Sequence, residues 1–114
     1  MSLSDKTDYE INKLVASVIY HDVDEIDQDW VNQTSGVHVI FKVGVKGGVY
    51  DWINDDALAF RLVVDNKIMM IYSNGLKKWS ATHHSKGLHV ETAFIENPNR
   101  AIAECYLLMS GVES

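Results

Sequence analysis

The stretch that decides the fold is Asn54–Ser73, N-D-D-A-L-A-F-R-L-V-V-D-N-K-I-M-M-I-Y-S. Asn54 or Asp55 can cap a helix, and the acids of its first turn suit the positive end of the helix dipole. From Ala57 to Val64 only Arg61 is polar, which predicts a helix with almost no water-facing side, set centrally. Asp65-Asn66 stops it, because Asn tolerates the left-handed backbone at a helix end. Ile68–Tyr72 is then apolar without interruption, the pattern of a strand covered on both faces.

Working outward, Thr7-x-x-Glu10 is a capping box. Ile11, Leu14, Val15, Val18 and Ile19 follow at i, i+3, i+4, i+7 and i+8, predicting an amphipathic helix over Asp8–Tyr20. Asn12, Lys13 and Ser17 fall on its polar face. His21–Asp29, H-D-V-D-E-I-D-Q-D, has five acids in nine residues. Clustered carboxylates suit a hard cation, but Val23 and Ile26 intrude and no glycine stands at the sixth position of a calcium loop. The favoured reading is a solvated acidic connector. Val37–Val45 alternates as a strand, Gly47-Gly48 makes a two-residue hairpin loop, and Val49–Ile53 returns. Gly44, Gly47 and Gly48 fit no phosphate-loop pattern.

After the central element, Asn74-Gly75 joins Ile68–Ser73 to Leu76–Thr82, and Ser85-Lys86-Gly87 leads to a strand over Leu88–Ile95. Val90, Thr92 and Phe94 share one face of it. A last helix is capped by Asn97, takes Pro98 at its first position and ends at Gly111. Ala101, Ile102, Cys105, Leu108 and Met109 form its apolar stripe. The expected fold is α+β: three helices and an antiparallel sheet of four to five strands, in the order α-β-β-α-β-β-β-α.

Length and composition bound the function. One domain over residues 1–114 is expected, with 1–3 a candidate leader. Apolar residues at 46% exclude a disordered chain. No run of 18 apolar residues predicts a membrane helix, and no signal peptide is evident. Cys105 is the single cysteine, so no intrachain disulfide can form, which fits a reducing cytoplasm. The net charge of -6 argues against general nucleic-acid binding.

Chemistry has few candidates. His83, His84 and His89 are the densest histidine group, and with Asp51 or Glu91 they define a small-enzyme alternative. Neighbouring histidines on a strand point to opposite faces, so His83 and His84 do not converge on one metal. His84 and His89 can face each other across the turn, but spacing offers no third ligand. No metal and no cofactor is expected. Cys105 lies on an apolar helical stripe, where a thiol behaves as a small hydrophobe. Trp30, Trp52 and Trp79 with the five tyrosines are candidates for a binding surface, against core as the commoner place of aromatic residues in strands, and Arg100 beside Asn97 is expected as a feature of the helix start. Eleven of the sixteen acids precede Ala57; a decoy for a DNA-binding protein would need a more acidic chain than this.

The segments D-Y-E-I-N-K-L-V-A, N-D-D-A-L-A-F-R-L-V-V-D-N-K-I and I-E-N-P-N-R-A-I-A-E-C-Y-L-L-M resemble the NinX-like family of small phage and prophage proteins. The likeness covers Asp8–Ala16 and Asn54–Met109, with Asn97-Pro98-x-Arg100-Ala101 resembling the family's closing helix. It implies a phage-encoded cytoplasmic protein and carries no activity to any residue. With no catalytic constellation, the expected function is a non-enzymatic interaction module for a host or phage protein. The expected surface comprises Ile40, Met70, Tyr72 and Trp79. Apolar groups on both faces of Ile68–Tyr72 predict a homodimer through the sheet. The competing arrangement is a monomer in which one helix crosses to cover the second face.

Overall fold

The computed structural model describes residues 3–20, 23–28, 36–41 and 48–112, with the side chains of 23–28 and 38–41 outside that description. The class is α+β with three helices, as expected, and one strand more than expected precedes the second helix. After a 3-10 turn at Leu3–Asp5 come α1 (Asp8–Ile19), β1 (Val23–Gln28), β2 (Val37–Phe41) and β3 (Gly48–Tyr50). Then follow α2 (Asp56–Asn66), β4 (Met69–Ser73), β5 (Lys78–Ser85), β6 (Leu88–Glu91) and α3 (Pro98–Met109). The described strands form two antiparallel three-stranded sheets, β1-β2-β3 and β4-β5-β6. Helix α1 packs on the first sheet and α3 on the second, and the two helices pack on each other.

The helix ends follow the sequence closely. Thr7 Oγ1 accepts from Glu10 N at 3.1 Å while Glu10 Oε1 accepts from Thr7 N at 3.0 Å, which completes the capping box. The bond from Thr7 N, then one with the Thr7 side chain, holds the Glu10 carboxyl below its ordinary range. Asn97 Oδ1 accepts from Asn99 N and Arg100 N. At the other end of α3, Val112 N reaches Leu107 O and Gly111 N reaches Leu108 O, with Gly111 at φ 88°. That is a Schellman closure, and its left-handed residue is the glycine the sequence offers.

Several expectations change. The acidic stretch is no connector: Val23–Gln28 is a strand paired with β2, with a register irregularity between Val23 and Glu25. An extended, paired backbone also rules out a calcium loop over these residues. Asp22 and Asp29 lie outside the described residues, as do Trp30, Gly44 and Gly47. Gly48 pairs with Val39 and so belongs to β3, not to the corner of a Gly47-Gly48 loop. The residue in left-handed conformation after α2 is Lys67 (φ 54°), not Asn66. Asn74-Gly75 sits in a four-residue loop, because the strands close at Ser73–Lys78 and Lys77 takes the positive φ.

The largest correction concerns the central stretch. Helix α2 buries only Ala59 and Leu62; Phe60 is 65% exposed and Val64 43%. Of the helices and strands, it packs chiefly on α3; Leu58 and Val63 are half-buried, and Phe60 and Val64 meet water. Among the described strands β4 is an edge, with Met69, Ile71 and Tyr72 exposed. The middle strand is β5, whose Ser80, Ala81, Thr82 and His83 are all buried. Ser80 Oγ donates to Thr92 O at 2.9 Å and Thr92 Oγ1 accepts from Ala81 N at 3.0 Å, so polar side chains close the ladder there. Beyond Thr92 the register slips. From Ala81 to Trp79 is two residues, but their partners Thr92 and Ile95 are three apart. This bulge puts Thr92 in the interior and Phe94 in solvent, and ends the alternation expected for Val90, Thr92 and Phe94.

The core draws on every helix. Leu3, Ile11, Val15, Ala16, Val37, Trp52, Ile53, Ala101, Ala103, Cys105 and Leu107 are at most 2% exposed. Leu3, expected in a leader, is core.

Candidate functional site

Buried polar side chains come first, because they could be catalytic. Arg100 is 9% exposed and fully engaged. Its Nε donates to Glu104 Oε2 at 2.7 Å and Nη1 to Asp8 Oδ1 at 2.6 Å. Its Nη2 donates to the carbonyls of Leu3 and Lys6 at 2.9 and 2.7 Å. Every guanidinium nitrogen is thus bonded, and the side chain ties the N-terminal turn to α3. Asn12, expected on a polar face, is completely buried. Its Nδ2 donates to Asp51 Oδ1 at 2.8 Å and its Oδ1 accepts from Trp52 N at 3.0 Å. Asp51 also accepts from Asn54 N and Asn54 Nδ2. Asn99 Nδ2 donates to Ile53 O and Asp56 Oδ1. These amides fasten the β3–α2 connection to α1 and α3, a structural task.

The histidine group divides as strand geometry requires. His83 is buried on one face of β5, with Nδ1 3.3 Å from Lys67 O. His84 and His89 are exposed, directly paired, and their rings stand edge to face at 5.3 Å. Glu91 lies two residues beyond His89, exposed and paired with Thr82. Asp51 belongs to the connection after β3, held by Asn12 and Asn54. Among the described residues, no three His, Cys, Asp or Glu side chains come together as a metal site. Cys105 is fully buried, and burial pushes its thiol from 9.0 up to about 11. Such a thiol stays protonated at neutral pH and is a poor nucleophile.

One cleft of about 470 Å³ lies between the end of α1, α2 and α3, lined by Tyr20, Trp52, Leu58, Arg61, Asn66 and Tyr106 among others. Tyr20, Tyr50 and Trp52 pack as an aromatic cluster at its back, the Tyr50 and Trp52 rings stacked at 5.7 Å. Burial, then a hydrogen bond with Tyr50, raises the Tyr20 phenol to about 12, and burial raises Tyr106 as well. Arg61 pairs with Asp65 at 3.4 Å, both well exposed. Among the described residues, no histidine or cysteine lines this cleft.

The second surface is the edge of the β4 sheet. Met69 and Ile71 lie on one face of β4, at 59% and 46% exposure. Met70 is half-buried on the other face, and Tyr72 packs at a tilt against its cross-strand partner Trp79, 4.8 Å between ring centres. Met70 also lines an open groove with Ala57, Phe60 and Val63 of α2 and Ile102 of α3. Three of the four residues expected to form an interaction surface, Met70, Tyr72 and Trp79, therefore meet at this sheet. Ile40 lies in β2 of the other sheet, paired with Glu25, and its side chain is outside the described residues. Sequence reading missed Phe60 and Val64 as surface groups, because an apolar helix gives no sign of which side lacks a neighbour.

The chain shares its fold with a phage protein from Bacillus cereus ATCC 14579. The TM-score to that 2.0 Å crystal structure is 0.66, with 22% identity over 90% of each chain. No family model and no curated protein matches the sequence. No helix among the described residues is long and apolar enough to cross a membrane.

Proposed function

We propose that this is a phage accessory protein that acts by binding another protein, without catalysis, in the cytoplasm of the infected cell. The observation that carries the reading is the β4 edge. Natural edge strands are guarded by charge, proline or bulges, and Met69–Ser73 carries none of these while exposing three large apolar side chains. The groove beside Met70 adds apolar walls next to the open backbone. The phage assignment is supported by the shared fold and by the motif likeness to the NinX-like family. The cytoplasmic one is supported by the single reduced cysteine.

Capture from infected cells with the wild-type chain and with folded Met70→Lys and Ile71→Lys variants tests this. A dominant partner held by wild type and lost by the variants is the expected result. An empty capture, or a partner held equally by the variants, overturns it; an empty capture also returns weight to the enzyme alternative at His84 and His89. Dimerisation through the same sheet is read separately by light scattering after size exclusion. A mass that stays near 12.9 kDa on concentration excludes it, and twice that mass, reduced by Tyr72→Lys, supports it.

A further inference from the structure

The two sheets end in unlike edges. Strand β1 carries Asp24, Glu25 and Asp27 in six residues and a register irregularity, both of which discourage an incoming strand. Strand β4 carries no charge, and the sequence segment around it is basic, although Asp56 stands among the residues of the groove beside Met70. From Asn66 to Val90 there is no acid, and Lys67, Lys77, Lys78 and Lys86 give this segment a charge of +4. The whole chain is at -6, which leaves -10 for the rest. Lys67 stands just before β4; Lys77 follows it, and Lys78 pairs with Ser73 at its far end. A five-residue strand spans roughly 17 Å, so positive charge brackets both ends of the open edge.

We propose that β4 receives an extended segment of a partner protein that is apolar at its centre and carries Asp or Glu at both ends. This rests on reading β4 as a docking edge. Main-chain hydrogen bonds to β4 would supply affinity, and alternate side chains would enter the groove at Phe60, Val63, Met70 and Ile102. The lysines would select the acidic flanks. A second copy of this chain fits less well: antiparallel self-pairing of β4 sets Lys67 near its counterpart's Lys77, like charge on like. A single-stranded nucleic acid would use the lysines but leave the edge N–H and C=O groups unpaired, and Tyr72 already packs against Trp79.

The test uses the intact chain and a synthetic peptide, Asp-Glu-Val-Thr-Val-Thr-Glu-Asp, with a neutral version (Asn and Gln for the acids) and a short oligothymidylate. Amide hydrogen exchange by NMR is the readout. The acidic peptide should protect those amides of Met69–Ser73 that face away from β5. It should bind about tenfold tighter than the neutral one, since several exposed ion pairs give a few-fold each. The preference should vanish in high salt and in the folded Lys67→Glu/Lys77→Glu variant. Equal protection by the neutral peptide would overturn the charge selection and leave the docking edge standing. No protection by either peptide would overturn this proposal; if β4 substitutions also leave partner capture intact, the docking edge fails with it. Protection that appears without peptide as the protein is concentrated would assign the edge to a second copy, and protection by oligothymidylate would assign it to nucleic acid; either result overturns the proposal.

Discussion

Helices α2 and α3 invert what their sequences suggest. Helix α2 has a single polar residue, Arg61, between Ala57 and Val64, yet it buries two side chains. Helix α3 holds an arginine in its first turn and a glutamate in mid-helix, yet it buries seven residues, both charges included. The difference lies in neighbours. Helix α3 is packed by α1, α2, β5 and β6, and its Ala101, Ala103 and Cys105 are small enough to let them approach. Helix α2, whose main packing partner is α3, has surplus apolar surface that stays in water. Apolar composition sets what a residue can do when buried; it does not decide whether a neighbour arrives.

Substitutions on the two helices should sharpen this contrast. The largest effect is expected at Arg100. Changing it to Leu strands the buried Glu104 carboxylate and the carbonyls of Leu3 and Lys6, and should cost about 3–5 kcal/mol in denaturant unfolding. Adding Glu104→Leu should recover part of that loss, because the unpaired charge goes too. If Arg100→Leu cost no more than a surface change, the ion pair would be incidental.

A pH series probes the same buried layer. Cys105 rises from 9.0 to about 11 and Tyr20 from 10.0 to about 12, both chiefly by burial. Raised values mean that the folded state holds these protons more tightly than the unfolded chain. The associated stability is fully present below pH 9 and is lost as the pH climbs through 11 to 12. Cys105→Ala should flatten the lower part of that fall. Native Cys105 should react slowly with a thiol reagent and quickly in denaturant; fast native reaction would mean that α3 is not the buried layer described.

The third effect is smaller. Asn97→Ala removes the cap of α3 and should cost about 1 kcal/mol. The smallest lies on the apolar exterior: Phe60→Ser and Ile71→Lys should change stability by no more than about 0.5 kcal/mol, despite deleting large hydrophobes. A loss of 2 kcal/mol or more at either would show the surface to be covered.

Local signals were therefore legible, and layer order was not. The capping box at Thr7 and Glu10, the cap at Asn97 and the closure at Gly111 were readable, because each depends on residues within one turn. The class and alternation of elements followed from them. Strand β4 was misplaced because M-M-I-Y-S has the composition of a covered strand, and its missing neighbour leaves no trace in its own residues. Strand β5, K-W-S-A-T-H-H-S, hid its central place because Ser80 lends its hydroxyl, and Ala81 its amide, to Thr92 far along the chain. Strand β1 hid among its acids, since an edge strand carries charge as protection. Asn12 gave no hint that it serves Asp51 and Trp52, 39 and 40 residues away.

The grip of Arg100 on Leu3 joins residues 97 apart. It makes the native state a closed circuit. The opening turn has no lasting hold until the final helix is in place, so a chain still being synthesised keeps its beginning loose until its end emerges. Contacts of such separation are formed late and slowly. A premature stop before α3 would remove one helix, and with it the clasp that makes the beginning of the chain part of the fold.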